Sequence, residues 1–167
     1  MLRKIQGCIL FDWGNTLMRD FIQFSGPMND WPRVEAIPGA VDVLAALYPN
    51  WTLAIATNAA DSDETEIRAA LRRADLDQFI DRIYCFKNTG QRKPEPEFFQ
   101  YILNDLKIST EEVFMVGDSF EIDVLGANRL GLRAVWFNER SHDVRENGMH
   151  CTIHGLGELL DALHGFA

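Results

Sequence analysis

Four short segments of the 167-residue chain hold the residues whose types and spacing could do chemistry. Phe11-Asp12-Trp13-Gly14-Asn15-Thr16-Leu17 sets a carboxylate ahead of a small residue and polar ones, a composition that lets backbone groups turn toward a ligand. Ala56-Thr57-Asn58 adds a hydroxyl and an amide, and Arg92-Lys93-Pro94-Glu95-Pro96-Glu97-Phe98 adds an ammonium ahead of a proline. Val116-Gly117-Asp118-Ser119-Phe120-Glu121-Ile122-Asp123 adds two more carboxylates. These are groups that attack, ligate or hydrogen-bond a ligand. Any one of them has a plainer explanation: Asp12 to Asn15 alone reads better as an Asx-turn, Thr57 reads as a helix cap, and Asp123 reads equally well as an acid placed by the helix dipole.

In this order, with each segment at a strand end or a helix start, the four together resemble the four motifs of the haloacid dehalogenase superfamily, across roughly Gly7 to Asn138. The resemblance implies a Mg²⁺-dependent phosphohydrolase. Asp12 matches the nucleophile that becomes an aspartyl phosphate, dividing one hard displacement into two easier ones. Magnesium takes oxygen ligands and needs few protein carboxylates; Asp12, Asp118 and the main-chain carbonyl of Gly14 match its ligands, and Asp123 matches the acidic residue that supports the metal or its waters. Thr57 resembles the hydroxyl that hydrogen-bonds a phosphoryl oxygen, with Asn58 placed to add a donor near substrate. Lys93 resembles the lysine that balances charge between nucleophile and phosphate, and it alone among nearby cations directly precedes the Pro94 expected to open a helix.

One position departs from the pattern. Phosphatases of the superfamily carry a second Asp two residues after the nucleophile, as general acid and base, and this chain has Gly14 there. Such catalysis is worth about 10²–10⁴-fold, so a median turnover of about 10 per second would fall to roughly 10⁻¹ to 10⁻³ per second. A substrate with a good leaving group needs little protonation, and Asp20 or Asp30 could supply the missing acid. The dehalogenase branch also lacks this Asp but attacks carbon without magnesium, so Asp118 and Asp123 favour phosphorus. The main alternative is a non-catalytic relative that binds a phosphorylated ligand or partner. A two-component receiver domain fits less well, because its acceptor Asp lies on a middle strand.

Positioning these residues requires strands that end on them. Apolar runs with β-branched or aromatic members at Gly7–Asp12, Thr52–Thr57, Arg82–Phe86, Val113–Gly117 and Arg133–Phe137 predict strands covered on both faces. Helical periodicity falls at Ala40–Tyr48, Asp63–Ala74, Glu95–Leu106, Glu121–Leu130 and Leu156–Leu163. The alternation predicts an α/β, Rossmann-like three-layer sandwich: a mostly parallel central sheet, helices on both faces, and a ligand site at the carboxyl ends of the strands. Residues 1–167 read as a single domain with no separate cap domain. The irregular stretch 18–38, with Gly26-Pro27, Asn29-Asp30 and Trp31-Pro32, reads as a flap over the site. Asp61 and Ser62 are expected to cap the following helix, which leaves Thr57 free.

Composition bounds the rest. The chain is 47% hydrophobic and 25% charged, which fits a globular fold, and no apolar run is long enough to span a membrane. A net charge of −9 argues against a nucleic-acid backbone as partner; the resemblance implies a phosphorylated small molecule or macromolecule as substrate. Cys8, Cys85 and Cys151, odd in number and each in an apolar stretch, point to reduced thiols and a cytoplasmic setting. Met1 to Gly7, with the apolar stretch that stops at Asp12, reads as a first strand and not as a signal peptide. His150-Cys151-Thr152-Ile153-His154 lacks the paired spacing of a zinc site and reads as a short edge strand. Trp31, Trp51 and Trp136 are assigned to the core, while Trp13, in the catalytic turn, is expected at the substrate.

Overall fold

The computed structural model describes residues 3–166. Its strands are β1 (Cys8–Phe11), β2 (Thr52–Ala56), β3 (Arg82–Tyr84), β4 (Val113–Gly117), β5 (Arg133–Phe137) and β6 (His150–Ile153). All pair in parallel, in the order β3-β2-β1-β4-β5-β6. The chain therefore builds outward from β1 in one direction and then returns to its other side at β4. Where strand order reverses, the connections leave in opposite directions and open a crevice at the carboxyl ends. In register, Phe11 lies opposite both Ile55 and Val116, so the chain just past β1, β2 and β4 converges on that crevice.

Alternating side chains on continuously apolar strands produce two cores. Ile9 and Phe11 point to one face with Leu53, Ile55, Phe114 and Val116. Cys8 and Leu10 point to the other with Ala54, Ala56, Met115 and Ala134. The first face is covered by α1 (Ala40–Leu47), α2 (Glu64–Arg73) and, near the chain's end, α6 (Leu159–His164). After the short α3 (Phe86–Thr89), α4 (Pro96–Leu106) and α5 (Gly126–Arg129) cover the second. The predicted α/β three-layer arrangement is what the chain adopts, with the predicted edge strand as β6.

Local chemistry moves several boundaries. Pro94 does not open a helix: α4 begins at Pro96, and Glu95 is extended (φ −63°, ψ 132°), because a residue before proline is pushed out of the helical region. Asp63, not Asp61 or Ser62, caps α2, accepting from Glu66 N–H while the Glu66 carboxylate accepts from Asp63 N–H. β3 stops at Tyr84 because the Asn88 side chain accepts from Cys85 N–H and closes the turn of α3. The helix predicted over 121–130 opens as a wide π-helical turn (Phe120–Leu125) and only then tightens into α5. The last helix likewise begins with a 3₁₀ turn, Leu156–Glu158.

The stretch 18–38 is irregular but held. Met18 bridges Ala36, Met28–Asp30 forms a 3₁₀ turn, and Phe21, Phe24 and Trp31 pack ring on ring. Arg73 of α2 donates to the carbonyls of Asn29 (2.6 Å) and Trp31 (2.9 Å). Among the described residues no helix is long and apolar enough to cross a membrane.

Candidate functional site

Asp12 leaves the end of β1 with its N–H donated to Val116 O (2.9 Å), so the strand ladder itself fixes the carboxylate. Thr16, fully buried, donates its hydroxyl to Asp12 Oδ2 at 3.2 Å. Between them the chain turns sharply: Asn15 takes a left-handed conformation (φ 59°), and its N–H donates to Met18 O, a geometry Asn tolerates better than most residues.

Lys93 reaches the same point from the loop before α4. Its ammonium donates to Asp12 Oδ1 at 2.9 Å and to Asp123 Oδ1 at 2.7 Å, with the side chain only 1% exposed. Burial pulls the ammonium down, but Asp12 and Asp123 together outweigh it, and Lys93 is held above its ordinary value. Asp123, on the π-helical turn, is equally enclosed, its second oxygen taking the Ser119 N–H at 3.0 Å. Asp118, just past β4, completes the group: carboxylate atoms of Asp12, Asp118 and Asp123 lie within 4.8 Å of one another.

Burial, with neighbouring negative charge, raises two of these carboxylates. Burial, then the Asp12 charge, pushes Asp118 up to about 7. Burial pushes Asp123 up to about 6 against the opposing pull of Lys93. Among the described residues Lys93 is the one cation hydrogen-bonded to the trio, so the cluster keeps an excess of negative charge. A set of oxygen donors with uncompensated charge fits a hard divalent cation.

The expected site residues share one cleft of about 390 Å³, bordered by Asp12, Gly14, Thr57, Asn58, Lys93, Asp118 and Asp123. Thr57 is buried and its oxygen accepts from Ala59 N–H (3.0 Å), which orients the hydroxyl without using its proton. Asn58 has a further role. Its carboxamide donates to Lys93 O and accepts from Lys93 N–H, both at 2.8 Å, so it holds the lysine's backbone while bordering the cleft with a second N–H. Trp13 is buried in the core at 3% exposure with its indole N–H on Met18 Sδ, and borders the cleft only as wall. Asp20 borders the cleft too, together with Gly26, Met28 and Trp31 of the 18–38 stretch; Asp30 is not among the lining residues.

Two glycines matter that the sequence did not single out. A Cβ on Gly117 would lie 2.1 Å from Asp123 Oδ2, and one on Gly126 would lie 2.9 Å from Pro94 Cβ. Asp123 can approach β4, and the Lys93-Pro94 loop can approach α5, only because these two positions lack a side chain. The signal was present, Gly117 ending β4 directly before Asp118, but a glycine there reads as an ordinary turn residue until its neighbour is known.

A family model described as haloacid dehalogenase-like hydrolase matches residues 10–137. The chain is 30% identical over 129 residues to pyrimidine 5'-nucleotidase YjjG of Escherichia coli (strain K12), covering 74% of this chain and 56% of that protein. An uncharacterized protein from Listeria monocytogenes serotype 4b has the same fold along nearly its whole length, at a TM-score of 0.83, 26% identity and coverage of 96% of this chain and 98% of that one. The HAD-hydrolase YfnB of Bacillus subtilis, solved bound to magnesium, aligns at a TM-score of 0.67 and 28% identity, over 77% of this chain and 55% of that one. The chain spans about half the length of the curated relatives it matches.

Two outcomes follow from the geometry. Gly117→Ala drives a methyl group into Asp123 and is expected to cost about 1–3 kcal/mol of stability, as overpacking does; a chemical denaturation midpoint equal to wild type would show that Asp123 is not wedged against β4. The carboxylate trio also sets a pH dependence. Because the folded-state values of Asp118 and Asp123 lie above the ordinary carboxylate value, their contribution to stability is full at about pH 4 and below. It is lost as pH rises through about 6 to 7 in cation-free buffer. Magnesium competes with those protons, so it is expected to raise Tm more at about pH 8 than at about pH 5. Equal shifts at both pH values, or none, would contradict a cation bound by this cluster.

Proposed function

The chain belongs to the haloacid dehalogenase-like hydrolases, and from that premise we propose that it is a magnesium-dependent phosphohydrolase in which Asp12 accepts the phosphoryl group. The observation that carries this reading is the Lys93 ammonium shared between Asp12 and Asp123 beside Asp118. A nucleophilic carboxylate, the cation that steadies it and a cluster fit for a divalent ion lie in one cleft.

Asp12, Asp118 and the Gly14 carbonyl would hold the magnesium, with Asp123 in support; bound there, it would offset the negative charge of the phosphoryl oxygens and of the carboxylates. The protein's own groups do the rest. Asp12, oriented through Thr16 and Lys93, attacks phosphorus through a carboxylate oxygen, and the leaving group departs with its electron pair. The hydroxyl of Thr57, oriented by Ala59 N–H, and the ammonium of Lys93 donate to phosphoryl oxygens. Asn58 serves by fixing the Lys93 backbone. Water then attacks phosphorus and frees Asp12.

Position 14 has no side chain with which to protonate the leaving group, so turnover is slow and favours esters whose leaving groups need little protonation. The cleft volume suits the phosphoryl group with a small organic residue, and the similarity to YjjG, named as a nucleotidase, supports a phosphorylated small molecule as substrate. We read residues 18–38 as the cover of this cleft in place of a cap domain, a reading supported by Gly26, Met28 and Trp31 at its rim and by the Arg73 tie to α2.

The test is turnover of p-nitrophenyl phosphate and acetyl phosphate with magnesium or EDTA, with intact mass of the protein followed alongside. Wild type is expected to turn over, to gain a phosphoryl mass and to need magnesium; Asp12→Asn is expected to lose both turnover and mass gain. A wild-type protein that does neither would remove catalysis and leave a role in binding a phosphorylated ligand. Activity that survives in Asp12→Asn would displace the nucleophile.

A further inference from the structure

The absence of a side chain at Gly14 does not leave an empty space. A Cβ built on Gly14 would stand 3.3 Å from Asp20 Cβ, 3.7 Å from its Cγ and 3.6 Å from its Oδ2. The first turn beyond β1 folds back on itself and brings the carboxylate of residue 20 against the backbone where an acidic side chain at 14 would begin.

The chain is built to hold it there. Asn15, in its left-handed conformation, accepts the Asp20 N–H on Oδ1 at 3.1 Å. Gly14 bridges Met18, which bridges Ala36, so the turn is closed on both sides. The neighbouring Arg19 grips Glu139 beyond β5 with two hydrogen bonds, one of 2.7 Å. These contacts fix the backbone of residue 20 and leave its carboxylate unused. Among the described residues that carboxylate makes no hydrogen bond or ion pair, and it borders the same cleft as Asp12, Lys93 and Asp118. An unengaged carboxylate facing a cleft, on a turn restrained from three directions, is placed to exchange a proton with what binds there.

We propose that Asp20 transfers the leaving-group proton, in place of the side chain that position 14 lacks; the proposal rests on Asp12 being the phosphoryl acceptor. In the first step an Asp12 oxygen bonds to phosphorus as the bond from phosphorus to the ester oxygen breaks. The Asp20 carboxyl gives its proton to that departing oxygen, which leaves as a neutral alcohol. In the second, a water oxygen bonds to phosphorus as the bond from phosphorus to Asp12 breaks, and the Asp20 carboxylate takes a proton from that water. Inorganic phosphate leaves, Asp12 is again a carboxylate and Asp20 again a carboxyl, so protons and electron pairs balance over the cycle. Asp20 is exposed and sits on a loop, so it serves less well than an acid buried beside the nucleophile, which is why esters with good leaving groups are still preferred.

The two half-reactions separate the proposal from a structural role. Phosphorylation of Asp12 is followed by rapid-quench intact mass with acetyl phosphate, whose leaving group needs no proton, and with propyl phosphate, whose alkoxide does. Asp20→Asn is expected to slow phosphorylation by propyl phosphate by on the order of 10²-fold while leaving that by acetyl phosphate within about threefold. It is also expected to slow the decay of the phosphorylated protein, so that this species accumulates. Unchanged phosphorylation by acetyl phosphate shows at once that the variant is folded. Gly14→Asp in an Asp20→Ala background, where space for the new side chain is opened, is expected to restore reaction with propyl phosphate. Equal slowing with both donors, or no slowing with either, overturns the role of Asp20 and leaves Asp12 as acceptor. No phosphorylation of wild type by either donor overturns both.

Discussion

A buried ammonium governs this site. Lys93 is almost wholly withdrawn from water, and an isolated charge so placed costs several kcal/mol. It is tolerated because Asp12 and Asp123 accept from it on either side. That arrangement makes demands in turn: Asp123 must itself be buried against β4, β4 must end in a residue without a Cβ, and the backbone of Lys93 must be fixed, which the Asn58 carboxamide does with two hydrogen bonds. Removing a partner from a buried pair leaves a charge without compensation, so these residues stand or fall together although they come from four separate stretches of chain.

The sheet order makes their meeting possible. β1 lies between β2 and β4, and the reversal of strand order there delivers Asp12, Thr57 and Asp118 to one crevice. Lys93 and Asp123 come from connections that pack on the face covered by α4 and α5, where Gly126 lets the Pro94 loop approach. The cluster's three carboxylates face one lysine, and burial together with the Asp12 charge pushes Asp118 and Asp123 up. Proton uptake and cation binding are two answers to the same imbalance, and the phosphoryl chemistry proposed for Asp12 uses the second.

Much of this was legible in the sequence because it depends on local pattern. Buried strands write themselves as continuous apolar runs, so β1, β2, β4 and β5 were placed to within one residue, and with them the carboxylates at their ends. What was not legible depends on partners distant in the chain. Asn58 was placed at the cleft, but nothing local reveals that Lys93, 35 residues on, engages both its carbonyl and its amino group. Gly117 looked like a turn residue because its neighbour Asp123 arrives only through the π-helical turn. Trp13 was expected at the substrate and does line the cleft, but that its indole N–H is held by Met18 Sδ was not visible in the sequence. The competition among Asp61, Ser62 and Asp63 to cap α2 was decided by Glu66, the residue that completes a reciprocal pair with Asp63 alone.

The role proposed for Lys93 is to hold Asp12 in readiness for a phosphoryl group. The most direct measurement is a crystal structure grown with magnesium and beryllofluoride, a mimic of a phosphoryl group bound to carboxylate. Beryllofluoride is expected to be joined to an Asp12 oxygen, with Lys93 still bonded to Asp123 and reaching the new group, and magnesium beside Asp118. Beryllofluoride on another residue, or Lys93 swung out of the cleft with Asp123 unpaired, would contradict that role.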